Sequence, residues 1–257
     1  MEKLLTVNNL NVHYGKVHVL KDISFEIKDV IRNGHVTGQI VAVLGASGCG
    51  KSTLFRVLSG LKDYTGEIEL ADIKEDKIIN YIPPRAGSVG MVDQAYTMFR
   101  HKTVHSALSF ALRNRDIKDK NAHIKKYATQ VGIDHVLNKY PNELSGGQRQ
   151  RAALLERLFN ENHFIILDEP FSGLDVKSKV SAKTFIREIV NEHEFNTVLF
   201  CTHNINVAVE MADVILILSE DGRLTKQYNL REENYVYNQL TERHVELTEE
   251  IQNHFLK

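Results

Sequence analysis

The stretch Gly45-Ala46-Ser47-Gly48-Cys49-Gly50-Lys51-Ser52-Thr53 decides how this chain is read. Before it stands Gln39-Ile40-Val41-Ala42-Val43-Leu44, an apolar run with the character of a buried strand. After it comes Leu54-Phe55-Arg56-Val57-Leu58, the opening of a helix with one apolar face. A G-x-x-x-x-G-K-S/T pattern carries meaning only in that strand–loop–helix setting. Its glycines let successive backbone N–H groups turn inward onto phosphate oxygens, and the helix N-terminus adds orphan donors and the positive end of its dipole. In such a loop Lys51 reaches the β- and γ-phosphates and the Ser52 hydroxyl ligates Mg²⁺. An incidental glycine-rich turn is the weaker explanation, because all the fixed positions coincide. The reading is a nucleotide site.

Length and composition bound what surrounds that site. The 257 residues suit one large domain, or one domain with a subdomain, and 42% hydrophobic with 25% charged residues is an ordinary globular balance. A net charge of −1 leaves no electrostatic footprint for nucleic acid or anionic lipid. Cys49 and Cys201 are the only cysteines, which suits a reducing compartment and excludes a disulfide framework. Met1-Glu2-Lys3-Leu4-Leu5 runs straight into a strand pattern, so no signal peptide is expected. The longest apolar runs, such as Phe164–Leu167 and Val214–Leu218, are strand-sized and far below a membrane span. The expected location is the cytosol, free or docked on a membrane from that side.

Alternating segments at Leu4–Val7, Val17–Leu20 and Ile23–Ile27, separated by turn residues, predict an antiparallel layer over residues 3–30. Residues 29–38 read as a hairpin tip turning at Asn33-Gly34, a surface insertion. Gly66–Leu70 is a further strand, residues 71–86 a polar loop ending in Pro83-Pro84, and Val89–Asp93 a short strand before Gln94. From about 103 to 160 the spacing turns helical, with Leu108, Ala111 and Leu112, then Ala152, Leu155 and Leu158, on the apolar faces. Phe164–Leu167, Thr197–Cys201 and Val214–Leu218 are continuous apolar runs of the kind buried on both faces of a parallel sheet. Strands alternating with helices give an α/β core with a helical insertion at about 95–156. In the tail from residue 230, Val236, Leu240, Leu247, Ile251 and Phe255 could stripe one or two helices packed on the parent domain.

Two further motifs bear on chemistry. Asp168 and Glu169 end the Phe164–Leu167 run, and the carboxyl ends of strands in an open parallel sheet face the ligand crevice. Asp168 would hold the Mg²⁺ shell and Glu169 would polarise the attacking water. Leu144-Ser145-Gly146-Gly147-Gln148 opens a helical run with a serine cap, which makes a second anion site at a helix N-terminus.

With the Leu-Ser-Gly-Gly-Gln pentapeptide placed between the phosphate loop and the Asp-Glu strand, the chain resembles the nucleotide-binding subunit of an ATP-binding cassette (ABC) transporter over about residues 3–222. The resemblance implies a P-loop NTPase, RecA-like α/β core with an N-terminal antiparallel β subdomain and an inserted α-helical subdomain. The cassette would span 1–229 and a helical tail 230–257. It implies that Tyr14 stacks on adenine and that Gln94 reaches Mg²⁺ and the attacking water. Ser172-Gly173-Leu174-Asp175 would cross a dimer interface, and His203 would meet the γ-phosphate. Ser145, Gly146 and Gly147 would then close on nucleotide held by a second cassette, so that two ATP molecules join two subunits.

The implied cofactors are ATP and Mg²⁺. The implied partners are a second ATPase subunit, copy or relative, and separate membrane permease subunits docking at Gln94 and the segment to about Ala111. The resemblance also leaves room for a solute-binding protein, but not for nucleic acid. Residues 85–92, 167–175 and 202–209 look most like nitrate, sulfonate or taurine importer cassettes. Asp93, Arg100 and Asn204 depart from the family's usual residues without removing a catalytic group, and residues 29–38 lengthen a usually short turn. Beyond Leu224 the regulatory barrel of some sugar importers is not expected. The competing reading is a soluble cassette ATPase, such as one serving iron–sulfur assembly. A P-loop kinase would have no use for the pentapeptide or for His203.

Overall fold

Apolar runs without a polar side can be strands only if both faces of their sheet are covered. The structure, a computed structural model, describes residues 2–32, 35–74, 76–92, 98–113, 117–159, 163–191, 193–230 and 242–255. In chain order come β1 (Lys3–Tyr14), β2 (Val17–Lys28), the small pair β3 (Val30–Arg32) and β4 (His35–Thr37), β5 (Gln39–Gly45) and α1 (Lys51–Leu58). Next are β6 (Thr65–Lys74), β7 (Lys77–Ile82), β8 (Gly90–Val92), α2 (Val104–Ala111), α3 (Lys120–Gln130) and α4 (Gly146–Leu158). The chain continues with β9 (Phe164–Asp168), α5 (Val176–Val190), β10 (Thr197–Thr202), α6 (Ile205–Met211), β11 (Val214–Leu218), β12 (Leu224–Asn229) and α7 (Glu242–Phe255).

Two sheets form the frame. The larger runs β12-β11-β5-β10-β9-β8, parallel except for the antiparallel edge strand β12. The smaller is antiparallel, in the order β2-β1-β6-β7. Strand alternation divides the apolar runs between two cores. Val41 and Val43 of β5, Leu199 and Cys201 of β10, and Phe164 and Ile166 of β9 join the small sheet and Leu54, Phe55 and Leu58 of α1. Ile40, Ala42 and Leu44, Val198 and Phe200, and Ile165 and Leu167 face the other way, into a core closed by α2–α7. Three layers result, and the central sheet is dry on both faces.

Helix starts are written in the sequence. Thr103, Asp119, Ser145, Asp175 and Asn204 each cap the helix that follows, accepting a hydrogen bond from a first-turn N–H; such caps are worth about 1 kcal/mol each. Asn204, one of the departures from the family pattern, thus does what aspartate would do there.

Several sequence expectations change. The three segments of residues 3–30 are two twelve-residue strands, because Asn9 (φ +49°) and Asp22 (φ +51°) absorb bulges in the left-handed region instead of ending the strands. Residues 71–86 are not a loop: β6 runs on to Lys74 and pairs with β7, an edge strand whose residues are exposed or half-buried. β12 was equally silent in the sequence, being a polar edge strand. The 29–38 insertion is the β3–β4 pair, with Asn33 and Gly34 outside the described residues. In the tail, Leu247 and Ile251 of α7 are fully buried against the helical core while Phe255 stays exposed. Val236 and Leu240 lie outside the described residues.

One buried group works against the fold. Glu156 of α4 is 4% exposed, and its Oε2 has no hydrogen-bond partner. Burial pushes its carboxyl pKa up, and attraction to Arg157 offsets only part of that. A raised folded-state pKa means that protonation favours the fold, so the wild type gains stability as pH falls through it. Glu156→Leu is expected to gain about 1 kcal/mol at pH 7, a rise of roughly 2–4 °C in melting temperature, with the advantage shrinking as pH falls through the raised carboxyl pKa. A variant that melts lower than wild type at pH 7 contradicts this.

Candidate functional site

β5 is buried along its whole length and delivers Gly45 to the carboxyl edge of the sheet, where α1 begins six residues later. An added Cβ on Gly45 would lie 2.6 Å from the Leu218 carbonyl oxygen and 2.7 Å from Cys49 Sγ, so only glycine fits the turn. Gly50 starts α1 at φ +107° and offers no side-chain cap, and the first turn holds no acidic residue. Among α1–α6, α1 alone begins without a capping side chain. Its orphan N–H groups and dipole are therefore left for an external anion. Lys51 is buried, and its Nζ donates to the carbonyl oxygens of Gly45 (2.9 Å) and Ala46 (2.8 Å), which ties the ammonium to the loop.

Sheet order brings the acidic residues to the same edge. β10 lies between β5 and β9 in register, Cys201 opposite both Val43 and Asp168. Ser47, Gly48, Gly50, Lys51, Ser52 and Thr53 share one open cleft of about 200 Å³ with Val19, Asp168 and Glu169. Asp168 is 7% exposed, and its Oδ1 accepts a hydrogen bond from the Cys201 thiol at 2.7 Å. Burial, then the neighbouring Asp168 charge, push the Cys201 pKa far up, so the proton stays on sulfur. Glu169 adopts φ +51°, a left-handed conformation costly for a non-glycine residue and concentrated at functional sites. His203, at the end of β10, donates from Nδ1 to Glu169 Oε1 at 2.9 Å.

The donor set suits a magnesium nucleotide. Ser52 and Asp168 present one hydroxyl and one carboxylate to the same cleft. Among the described residues no cluster of three or more His, Cys, Asp or Glu could form a protein-only metal cage. Mg²⁺ needs none, because it binds through one or two carboxylates and fills its shell with phosphate oxygens and water. Gln94, expected to complete the shell, lies outside the described residues. Tyr14 ends β1 with 40% of its surface exposed. Partial burial raises its phenol pKa, but hydrogen bonds from Thr53 and Arg56 outweigh it and lower the net value. Lys62 Nζ sits 4.3 Å from the ring centroid.

The pentapeptide stands elsewhere. Ser145 caps α4 in a reciprocal box, its Oγ accepting from Gln148 N (3.3 Å) while Gln148 Oε1 accepts from Ser145 N (3.0 Å). None of Leu144–Gln148 lines the cleft. A Cβ on Gly146 would meet nothing within 4 Å, so the helix start is open to approach. Two links tie α4 to the loop after Glu169, and neither was visible in the sequence. Gln150 Nε2 donates to the Pro170 carbonyl, and Arg151 Nη1 donates to Ser178 Oγ, which itself donates to Asp175 Oδ2 (2.6 Å). Asp175 caps α5 directly after the Ser172-Gly173-Leu174 turn, and hydrogen bonds from Ser178 hold its carboxyl below the usual range. Cys201 was also missed as a partner of Asp168, because nothing in a strand's sequence says which neighbour it will face.

An uncapped helix start behind a glycine loop, with two carboxylates at the same sheet edge, defines a P-loop nucleotide-binding protein. The ABC transporter family model matches residues 20–172, more than half of the chain. The sulfoquinovosyl glycerol transport ATP-binding protein SmoE of Agrobacterium fabrum is 35% identical over 83% of this chain and 57% of its own length. The sulfate/thiosulfate import ATP-binding protein CysA of Acinetobacter baylyi is 37% identical over 84% of this chain and 60% of its own. The dimeric structure of MJ0796, a bacterial ABC transporter cassette, superposes with a TM-score of 0.67 at 25% identity, covering 88% of this chain and 99% of that one. The chain belongs to the ABC transporter family, and it spans under two thirds of the length of the curated relatives it matches.

Lys51→Ala removes the ammonium tied to the loop. Its affinity for a fluorescent adenine nucleotide is expected to fall tenfold or more, the scale of a lost charge-assisted hydrogen bond. Unchanged affinity would contradict the loop's assignment.

Proposed function

We propose that this chain is the ATP-binding subunit of an ABC importer, hydrolysing ATP in a nucleotide-sandwich dimer to drive solute through separate membrane permease subunits. The observation that carries the reading is the division of the site. The cleft gathers the phosphate loop, Asp168 and Glu169, with His203 bonded to Glu169, while the Ser145 helix start stands apart from it and open. A second subunit bringing its own Ser145 helix start over this cleft would close it. The dimeric cassette it superposes on, and relatives named as import and transport ATP-binding proteins, support the same assembly here.

Each residue then has a task. The loop N–H groups and Lys51 bind the phosphates, and Tyr14 stacks on adenine. Ser52, Asp168 and Gln94 would hold Mg²⁺, which when bound would stabilise negative charge developing on the phosphate. Glu169 takes a proton from the attacking water, and His203 orients that carboxylate and meets the γ-phosphate. Ser145, Gly146 and Gly147, with Leu144 and Gln148 framing them, close on nucleotide bound by the other subunit. The Ser172–Asp175 turn, tied to α4 through Arg151 and Ser178, crosses between the two subunits. Preorganised dipoles and positioning, not covalent chemistry, supply the rate.

Within the proposed cassette of residues 1–229, the helical subdomain of about 95–156 meets the permease. Among the described residues no helix is long and apolar enough to cross a membrane, and in this reading the spans belong to separate permease subunits. Phe99 and Phe110 stand out from this subdomain, 42% and 41% exposed, packed edge to face at 5.8 Å. Lys102 and Arg113 lie over the Phe110 ring. Exposed aromatics and arginine are enriched at protein interfaces, and Phe99, Phe110 and Arg113 stand together here. Docking there places the chain peripherally on the cytoplasmic face.

Glu169→Gln is expected to keep ATP binding, lose turnover by roughly 10²–10⁴-fold, and accumulate an ATP-dependent dimer in sedimentation. Near-normal turnover would remove Glu169 from its role. The double variant Phe99→Ser with Phe110→Ser is expected to leave the membrane fraction of its host while binding ATP as before. Retention on membranes would move the docking surface elsewhere, and a wild-type chain found only in the soluble fraction would favour a cassette ATPase without transport.

A further inference from the structure

Cys201 is fully buried, one residue short of the end of β10, and faces Asp168 across the parallel β10–β9 ladder. Its thiol donates to Asp168 Oδ1 at 2.7 Å. Asp168 is nearly as buried, yet it also lines the cleft that holds Ser52. A carboxylate at a strand end can pivot about its terminal torsion, which is broad and roughly two-fold. A donor fixed in the neighbouring strand removes that freedom by holding one oxygen on the protein side and leaving the other for the cleft. Buried carboxylates also need hydrogen bonds to stay ionised, and the thiol is the side-chain donor found on this one among the described residues.

We infer that the Cys201 thiol is a positioning residue for Asp168, orienting its carboxylate for the Mg²⁺-dependent part of nucleotide binding. This rests on the proposed function above. The thiol touches neither nucleotide nor the reacting atoms, and it acts only through Asp168. Such a role concerns the hydrogen bond and not the space filled, so two substitutions separate the alternatives. Cys201→Ser keeps a donor and loses volume, whereas Cys201→Val fills the space and has no donor.

The test measures the dissociation constant of ADP in excess Mg²⁺ and again in EDTA, with a thermal melt of each variant as a control for folding. The ratio of the two constants reads the metal's share of binding and is independent of ATPase activity. Wild type and Cys201→Ser are expected to share one ratio within about twofold, while Cys201→Val loses about tenfold in Mg²⁺ and nothing in EDTA. If Cys201→Val does not fold, Cys201→Ala serves as the donor-free variant with the same expectation. The inference is overturned if the donor-free variant keeps the wild-type ratio, if Cys201→Ser is the worse of the pair, or if both constants weaken together. A wild-type chain whose ADP affinity ignores Mg²⁺ would instead overturn the reading of the site itself.

Discussion

An α-helix begins with N–H groups that its own backbone cannot satisfy, and most helices in this chain meet that need with a side chain. α1 does not: it starts from a left-handed glycine, without a cap and without an acid in its first turn. The remainder of the site is arranged around that unmet demand. β5 aims the donors at the sheet edge, Lys51 adds an ammonium, and the order β5-β10-β9 sets His203, Asp168 and Glu169 beside them. A phosphate group is the anion such a helix start suits, and Asp168 and Glu169 line the same cleft.

The architecture follows from that geometry. Strands ending together at one edge must be parallel, parallel strands need crossover helices, and a sheet so covered is apolar on both faces. The two cores divide β5, β9 and β10 by strict alternation. Polar groups therefore concentrate where the strands stop. Glu169 carries its backbone strain at that same edge, where its carboxylate lines the cleft.

Much of this was legible in the sequence, for identifiable reasons. The Gly45–Thr53 loop, the apolar runs at 39–44, 164–167, 197–201 and 214–218, and the capped start of α4 are local patterns, and each appears where the residues indicate. What escaped was set by partners distant in the chain. β7 and β12 are edge strands with exposed faces, so burial left no alternation to read. β1 and β2 ran longer than expected because Asn9 and Asp22 tolerate a conformation that usually signals a turn. The Cys201–Asp168, Gln150–Pro170 and Arg151–Ser178 hydrogen bonds join residues 20 to 33 apart, and no spacing rule foretells them.

Composite occupancy of the site is the central claim, and mixing two crippled chains tests it most directly. Lys51→Ala lacks the phosphate lysine but keeps the Ser145 helix start, whereas Ser145→Arg keeps the lysine and blocks the helix start. If nucleotide is clamped between copies, each chain alone is inactive, and combining them restores ATP hydrolysis through one intact site per mixed dimer. If the mixture stays as inactive as its components, or if Ser145→Arg alone turns over like wild type, the shared site does not exist.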